Sequence, residues 1–237
     1  IVDGSMGGQP RCWLNQAGGV DLLVKVCPQG GAAVEIDYAR LNEGDETYAI
    51  EMAPEDSGMV DVINGSRVVK AVRTDNGIGG QAMRRYRYSG LRHGRNGEGS
   101  LGFRSMSMTD GQTGVVTTST FRQDYPLAGL AESVVTKFGA QILSQEDTEY
   151  EMVGFVPNVP VSWFSHTSRI TESRWDLYGA FMGQTTSGFT YDTYGNVLRN
   201  DIDYGEGWSE SFVNTWKNTE ATWEIGRLIA LTSVKTG

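Results

Sequence analysis

Cysteine and histidine are nearly absent from this 237-residue chain, which has two of each. The two histidines, His93 and His166, and the two cysteines, Cys12 and Cys27, show no paired metal-ligand spacing, which disfavours a zinc site. Cys12 and Cys27 enclose a short loop, and the sequence fits one disulfide and two separate thiols equally. The scarcity of these residues therefore argues against a metal centre built from Cys and His, and no cofactor loop is visible.

Long hydrophobic runs are also missing, and no segment of about eighteen apolar residues occurs, so the sequence predicts no membrane span. No cleavable signal peptide is visible at the start, and the chain does not begin with Met. The final segment, residues 227–237, predicts the first strand of a further hairpin without its partner strand. From these features we expect both ends to be cut from a longer protein.

Positive charge is in deficit, since the formal net charge is −9. Binding to nucleic acid requires local positive charge, so we expect no nucleic-acid partner. One basic cluster stands out, and its alternation along a strand favours a solvated face over a site for an acidic partner. Its members are Arg84, Arg85, Arg87, Arg92, His93 and Arg95.

A convincing catalytic constellation is lacking too. The first four residues mimic the start of an activated serine protease, and residues 56–58 faintly resemble a nucleophile loop. Neither His93 nor His166 lies in the local signature of a catalytic triad, so both similarities are judged to be coincidental. We expect no enzymatic activity.

A group of acidic residues near the C-terminal end offers a weaker possibility. Asp201 and Asp203 lie on one face of a predicted strand and, with Glu206, supply oxygen ligands of the kind that calcium prefers. The apolar residues Ile202 and Tyr204 fall on the opposite face, which favours solvated strand acids. Paired carboxylates for glycoside hydrolysis stay open, because only their separation in space decides that mechanism.

What the chain has in abundance is glycine, with 31 residues, together with many Val, Thr and Tyr. This composition favours numerous short strands joined by glycine turns, and so an all-β fold. The alternation predicts successive antiparallel hairpins that continue as one curved sheet. The predicted strand pairs are 22–27 with 32–38, 68–73 with 82–88, 103–108 with 115–121, 133–137 with 142–150, and 189–191 with 197–204, followed by strands at 211–216 and 228–234.

The segment 187–199 spells out strand, tight turn and strand. Tyr191 and Asp192, followed by Gly195, Asn196 and Val197, match the core of the YD repeat, so the segment resembles the RHS family. Asp192 to Asn196 supplies side-chain caps and the positive-φ glycine that a reversal needs. These residues form the candidate repeat-turn motif of the chain.

An ordered series of further segments strengthens the resemblance. It looks like the region of SpvB-like and toxin-complex B-component proteins that precedes and enters the RHS repeats, and it covers residues 20–237. Residues 1–19 form a lead-in segment that matches nothing, and the Pro-rich segment that closes such shells is missing. The matching segments are 74–80, 86–92, 97–104, 109–118, 121–126 and 223–228.

The resemblance implies a noncatalytic segment of a secreted or surface-located bacterial protein whose β-shell carries or encapsulates a toxin module. Its partners are then other segments of the same shell and the enclosed toxin. The alternative is an extracellular binding or self-assembling surface module: an adhesin, a carbohydrate binder or a filament subunit that joins copies through exposed sheet edges.

Several local expectations follow from the strand pattern. Gly77, Gly114, Gly139 and Gly195 are expected at reversals, some with positive φ. The acidic stretch 41–60 predicts a solvated excursion between two paired strands, and 163–182 predicts strands, with a short helix as the alternative. Five tryptophans are expected to pack as strand anchors, with sugar stacking as the alternative. They are Trp163, Trp175, Trp208, Trp216 and Trp223.

Four tyrosines end or nearly end predicted strands. We expect their rings to pack against the next hairpin, with the hydroxyls near solvent or a backbone carbonyl. Burial distinguishes this structural role from sugar stacking, since a sugar-stacking ring stays mostly exposed. These tyrosines are Tyr38, Tyr88, Tyr150 and Tyr191.

Overall fold

The computed structural model of the protein describes residues 22–27, 33–55, 57–154 and 163–237. The predicted lead-in segment, the turn at 28–31 and Asp56 lie outside these residues. The same holds for Cys12, so the choice between a Cys12–Cys27 disulfide and two thiols falls outside the described part of the chain.

The described residues form an almost purely β structure, which confirms the predicted fold class. One turn of 3-10 helix, Glu220–Thr222, is their only helical element. The strands are β1 Lys25–Val26, β2 Val34–Arg40, β3 Tyr48–Ala49, β4 Met59–Asp61, β5 Arg67–Asp75, β6 Gln81–Ser89, β7 Arg92–Gly94, β8 Gly99–Gly102, β9 Ser105–Asp110, β10 Val115–Phe121, β11 Ala131–Phe138, β12 Gln141–Gly154, β13 Trp163–Trp175, β14 Phe181–Tyr191, β15 Val197–Gly205, β16 Trp208–Thr219 and β17 Glu224–Thr236.

Fourteen strands belong to one open sheet, in the order β1-β2-β5-β6-β9-β10-β11-β12-β13-β14-β15-β16-β17, with β3 added beside β6. All neighbours in this order are antiparallel, and only β3 pairs in parallel. Each predicted hairpin pair is present in the sheet. The chain therefore forms an up-and-down meander in which most strands pair with their neighbours in sequence.

Glycine-containing turns connect the strands at one end of the sheet, and another such turn occurs at the opposite end of the strands. Gly77, Gly114, Gly139 and Gly195 have φ angles of 77°, 72°, 58° and 85°. Side chains on L-residues disfavour this left-handed region, so glycine is the residue that allows these reversals. The prediction for all four glycines is confirmed.

The excursion between β2 and β5 is confirmed, but the expectation that it is solvated is only partly right. Leu41 and Thr47 are 4% and 2% exposed, and Tyr48 pairs beside β6 and packs edge-on against Phe103. Strand β4 leaves the main sheet and forms a three-stranded sheet with β7 and β8. The excursion and the connection between β6 and β9 thus cover one end of the sheet together.

The main sheet is a single layer, and its core is thin. Among the described residues no large side chain is completely buried. The apolar residues with less than a tenth of their surface exposed are Ala39, Leu41, Tyr48, Ala71, Leu101 and Leu127. The backbone hydrogen-bond ladder and half-buried cross-strand pairs therefore hold most of the sheet together.

The last strand agrees with its prediction. Residues 227–237 were expected to form the first strand of a further hairpin without its partner strand. Strand β17 pairs with the preceding strand β16, from Ser209 opposite Thr236 to Thr219 opposite Glu224, and no described strand pairs with its other edge. The expected strands in 163–182 are present as β13 and the start of β14. No helix of the described chain is long and apolar enough to cross a membrane.

Candidate functional site

The repeat-turn motif joins β14 to β15. The carboxylate of Asp192 accepts hydrogen bonds from the backbone N–H groups of Tyr194 and Asn196, both at 2.9 Å. The backbone N–H of Asp192 also donates to the carbonyl of Asn196 at 2.9 Å, and the carbonyl of Asp192 accepts from the backbone N–H of Gly195 at 3.1 Å. One aspartate therefore organises the whole reversal.

Asp192 also ties this turn to the next connection. Its Oδ2 accepts from Nδ2 of Asn196 and from Nδ2 of Asn218, both at 2.9 Å. Asn218, at the end of β16, accepts in turn from the backbone N–H of Gly226 at 2.8 Å. The connection between β14 and β15 is thus hydrogen-bonded to the connection between β16 and β17, which lies at the same end of the strands.

These contacts set the charge state of Asp192. Partial burial, the largest influence, acts to raise its pKa, but hydrogen bonds from Asn196, Tyr194 and Asn218 together outweigh burial. The net result is a pKa below the ordinary value, so the turn favours the ionised carboxylate.

Gly195 is required by space as well as by its φ angle. A Cβ atom at this position would lie 2.8 Å from Cζ of Phe164. Phe164 stacks on His166 at a centroid distance of 5.3 Å, and His166 meets the Tyr191 ring edge-on at 4.3 Å. The turn therefore sits directly on a small aromatic stack.

The same turn geometry occurs at two further places, one at Asp176, where no turn was predicted, and one at Asn76, within the predicted reversal that contains Gly77. Asp176 accepts from Tyr178 and Ala180 at 2.8 Å, and its own N–H donates to the carbonyl of Ala180. Asn76 repeats these contacts with Ile78 and Gly80. The shared sequence signal is Asp or Asn, two residues, glycine and one further residue.

Five aromatic side chains make an equivalent contact near the same end of the strands, and we call them the aromatic row. Each lies on the second strand of a hairpin and donates to a backbone carbonyl of the preceding strand or its immediate extension. The pairs are Tyr38 to Leu23 at 3.1 Å, Tyr88 to Val69 at 3.1 Å, Tyr150 to Ala131 at 2.7 Å, Tyr191 to Thr167 at 2.9 Å and Trp216 to Val197 at 2.7 Å.

The tyrosine prediction is confirmed as to the carbonyl bonds, although the acceptors lie on the preceding strand and not on the next hairpin. All four rings are half-buried. Desolvation raises the pKa of Tyr88, Tyr150 and Tyr191, as expected for phenols taken partly out of water. The four tyrosines therefore act as structural donors.

All members of the row except Tyr88 lie beside a β-bulge, in which one strand carries an extra residue, and Phe121, which is not in the row, does so too. Tyr150 lies opposite Thr167, and the extra residue Ser168 follows at once on β13. Tyr191 lies opposite Val197, which the extra residue Leu198 follows. The same arrangement holds for Tyr38 with Val69, Phe121 with Ala131 and Trp216 with Leu228.

The bulges and the carbonyl bonds form one linked series. Val69, Ala131, Thr167 and Val197 each lie opposite an aromatic residue of the strand before, and each carbonyl accepts from an aromatic of the strand after. The pairing of β6 with β9 is the exception, since it has no bulge. In the next hairpin, formed by β9 and β10, the corresponding aromatic residue is Phe121, whose side chain has no hydrogen-bond donor.

His166, which lacks the local signature of a catalytic base, is part of the aromatic stack. Its side chain is 9% exposed, and its Nε2 lies 3.9 Å from the Glu151 carboxylate. Among the described residues its Nδ1 has no hydrogen-bond partner. Within the described part of the chain no hydrogen bond joins His166 to a serine hydroxyl. The other histidine, His93, pairs opposite Val60 in the small sheet.

The three candidate calcium ligands make separate contacts. Asp201 accepts from Ser211 and Arg199, which lower its pKa, while Asp203 accepts from the backbone N–H of Gly205 at 2.8 Å. Glu206 occupies a turn with φ of 53°. Within the part of the chain that is described, no three acidic, His or Cys side chains come close enough to hold a metal ion.

Arg92 is buried, and the prediction that it lies on a solvated basic face is wrong. Its side chain is 6% exposed and donates to Gln123 Oε1 at 2.6 Å, to the carbonyls of Glu51 and Met52 at 2.8 and 3.1 Å, and to Asp61 at 3.3 Å. The other members of the cluster are exposed. Arg92 thus joins the small sheet to the excursion and to the segment that follows β10.

The tryptophans divide into two groups. Trp216 belongs to the aromatic row, and Trp175 packs edge-on against Phe181 at 5.8 Å. Trp208 and Trp223 are 61% and 78% exposed, so the expectation that they pack as core anchors is wrong for these two. The side chain of Trp163 lies outside the described part of the structure.

The architecture is therefore an open, single-layer meander whose strands are cross-linked near one end by hydrogen bonds from aromatic donors.

No family model matches the chain, and no curated protein does. Solved toxin-complex structures share its fold. A crystal structure of TcdB2-TccC3-Cdc42 superposes with a TM-score of 0.65 over 87% of this chain at 8% identity. The Tc holotoxin pore of Photorhabdus luminescens gives 0.60 over 87% at 9% identity. This chain spans 15% and 14% of those chains.

Proposed function

We propose that this chain is a noncatalytic segment of a β-shell in a secreted bacterial protein of the RHS, SpvB-like kind, and that the shell carries or encapsulates a toxin module. The observation that carries the proposal is the single-layer sheet, whose fold is similar to that of toxin-complex proteins. A single layer with two accessible faces has the form of a wall and not of a packed globule.

The two faces of the sheet support this role. Arg169 lies opposite Gly188, which lies opposite Asp201, and Asp201 faces Ser211 on the next strand. This row crosses four strands with polar or absent side chains. The aromatic row lies on the other face and staples the strands together. A wall with a polar face encloses solvent or an unfolded chain without adhering to apolar segments.

The partners in this proposal are neighbouring segments of the same shell and an enclosed toxin, and nucleic acid is not among them. The motif Tyr191, Asp192, Gly195 and Asn196 then acts as a repeat turn that locks successive hairpins. Its role is mechanical support of the wall, because both carboxylate oxygens of Asp192 are engaged within the turn and its neighbour.

The test is to isolate from the producing bacterium the native product that contains this sequence. Mass spectrometry and electron microscopy should show a chain much longer than 25.9 kDa that forms a hollow particle with a protease-protected interior. A mature 25.9 kDa product would overturn the shell. Turnover in hydrolase or ADP-ribosylation screens that a point mutation abolishes would overturn the noncatalytic assignment.

A second candidate function is a surface-binding module, and exposed aromatic residues favour it. Trp208, Trp223 and Tyr178 are 61%, 78% and 95% exposed. Exposed rings of this kind stack on sugars. A glycan array separates the two functions: binding that Trp208→Ala or Trp223→Ala abolishes, while the variant keeps its fold, would support the binding module.

A further inference from the structure

The outer edge of β17 is the strongest candidate for an interaction surface. Strand β17 stands at the end of the strand order, so this edge has no strand partner among the described residues. The strand has 13 residues, contains no proline, and exposes Leu228, Ile229, Leu231 and Val234 by 49%, 60%, 59% and 57%. Long apolar edges of this kind pair readily with further strands.

The series of aromatic contacts assigns a specific acceptor on this edge. Val197 lies opposite Tyr191, precedes the extra residue Leu198, and accepts from Trp216 at 2.7 Å. Leu228 holds the same position one hairpin further on, because it lies opposite Trp216 and precedes the extra residue Ile229. The carbonyl of Leu228 is therefore the next acceptor in the series.

We propose that the free edge of β17 binds an extended antiparallel strand that carries Tyr or Trp, and that the ring of this residue donates to the carbonyl of Leu228. The register follows from the five existing contacts. In each of the five hairpins, the residue whose carbonyl accepts the bond lies two residues beyond the last strand pair, on the side away from the turn. If the same register is continued to that residue, it lies opposite the residue that comes just before the aromatic donor. The incoming aromatic follows the residue opposite Leu228.

The occupant is a strand of another polypeptide segment and not a second copy joined edge to edge. The two end strands of the sheet that the described residues form are β1 and β17. Neither contains Tyr or Trp, so neither supplies the donor. This inference rests on the strand pattern alone and holds whether or not the chain belongs to a toxin shell.

A synthetic peptide of residues 141–153 is a suitable probe, because it is a strand of this type with its donor at Tyr150 and is rich in solubilising acids. Fluorescence anisotropy with the full chain should show saturable binding. Tyr150→Phe in the peptide should weaken binding about five-fold, the equivalent of one hydrogen bond. A peptide with residues 149 and 150 exchanged should bind no better than the Phe peptide, because its ring points to the other face.

The acceptor is observed directly by carbonyl labelling. Leu228–Ile229 is the only Leu-Ile pair in the sequence, so ¹³C-carbonyl leucine with ¹⁵N-isoleucine gives one signal for the Leu228 carbonyl. Leu23–Val24, the only Leu-Val pair, gives a matched signal at the opposite edge with ¹⁵N-valine. At saturating peptide, the Tyr peptide should shift the Leu228 signal further than the Phe peptide does, because only the Tyr peptide donates to this carbonyl. The Leu23 signal should stay unchanged.

Four outcomes would overturn the proposal. They are absence of binding at millimolar peptide, equal affinity of the Tyr and Phe peptides, a shift at Leu23 in place of Leu228, and self-association of the chain that buries β17 without any peptide.

Discussion

The hydroxyl of Tyr191 donates to the carbonyl of Thr167 at 2.9 Å, across 24 residues of chain. Thr167 is itself the residue opposite Tyr150, so a single backbone unit connects the aromatics of two successive hairpins. Removing one donor leaves a half-buried carbonyl without its partner, and the cost of such a loss is measurable.

Tyr191→Phe should therefore lower the free energy of unfolding by about 1 kcal/mol, the usual net worth of one hydrogen bond. Tyr178→Phe is the matched control, because Tyr178 is 95% exposed and its substitution should change little. Urea unfolding of both variants measures the difference. Equal stability of the two variants would show that the contact adds nothing to the sheet.

Gly195→Val should destabilise the hairpin of β14 and β15 by more than about 1 kcal/mol, since Gly195 has φ of 85° and its Cβ position lies 2.8 Å from Phe164. Gly207→Val separates the two causes. Gly207 has φ of 86°, and no heavy atom lies within 4 Å of the point where a Cβ would stand, so this variant carries backbone strain alone. Thermal unfolding should rank Gly195→Val below Gly207→Val, and the reverse order would contradict the packing argument.

The depressed pKa of Asp192 predicts an acid-sensitive turn. Because its folded pKa lies below the unfolded value of about 3.9, its contribution to stability is complete above that value. The contribution is lost as the pH falls through the folded pKa. Asp192→Asn should lower stability at pH 7, since its amide group meets the amides of Asn196 and Asn218. It should also flatten the decline below about pH 4, and an unchanged pH profile would count against this role.

Arg92→Met should cost about 3 kcal/mol or more, because it removes a buried charge that bonds to Gln123, Asp61 and two carbonyls. Arg95→Met, at an exposed site nearby, should stay within about 0.5 kcal/mol. Hydrogen exchange should show loss of protection in β4, β7 and β8 for the first variant only. Retained protection there would mean that Arg92 does not hold the small sheet.

The sequence predicted the parts of this fold that depend on near neighbours. Alternation of side chains and turn chemistry are local, so the hairpins, the four glycines and the carbonyl bonds of the tyrosines were predictable. Trp216 was not recognised as a fifth donor, although its position at the end of a strand after a hairpin resembles that of Tyr191.

Other features depend on residues far apart in sequence. The burial of Arg92 arises only when Glu51, Asp61 and Gln123 meet around it, and no local pattern reports that meeting. The exposure of Trp208 and Trp223 follows from the lack of a second layer above the described sheet, which composition does not reveal. The bulges of the aromatic row likewise depend on pairing between strands.

The up-and-down order of the strands also determines how the molecule responds to force. From β10 onward each strand of the described sheet is bonded only to its sequence neighbours. A force applied to the C-terminal end acts on the hydrogen bonds between only two strands at a time. The strands therefore separate one after another, and the force needed for unfolding stays low. The hydrogen bond of each aromatic donor must break before the next strand separates. The extension of the chain under force should therefore proceed in steps of one hairpin.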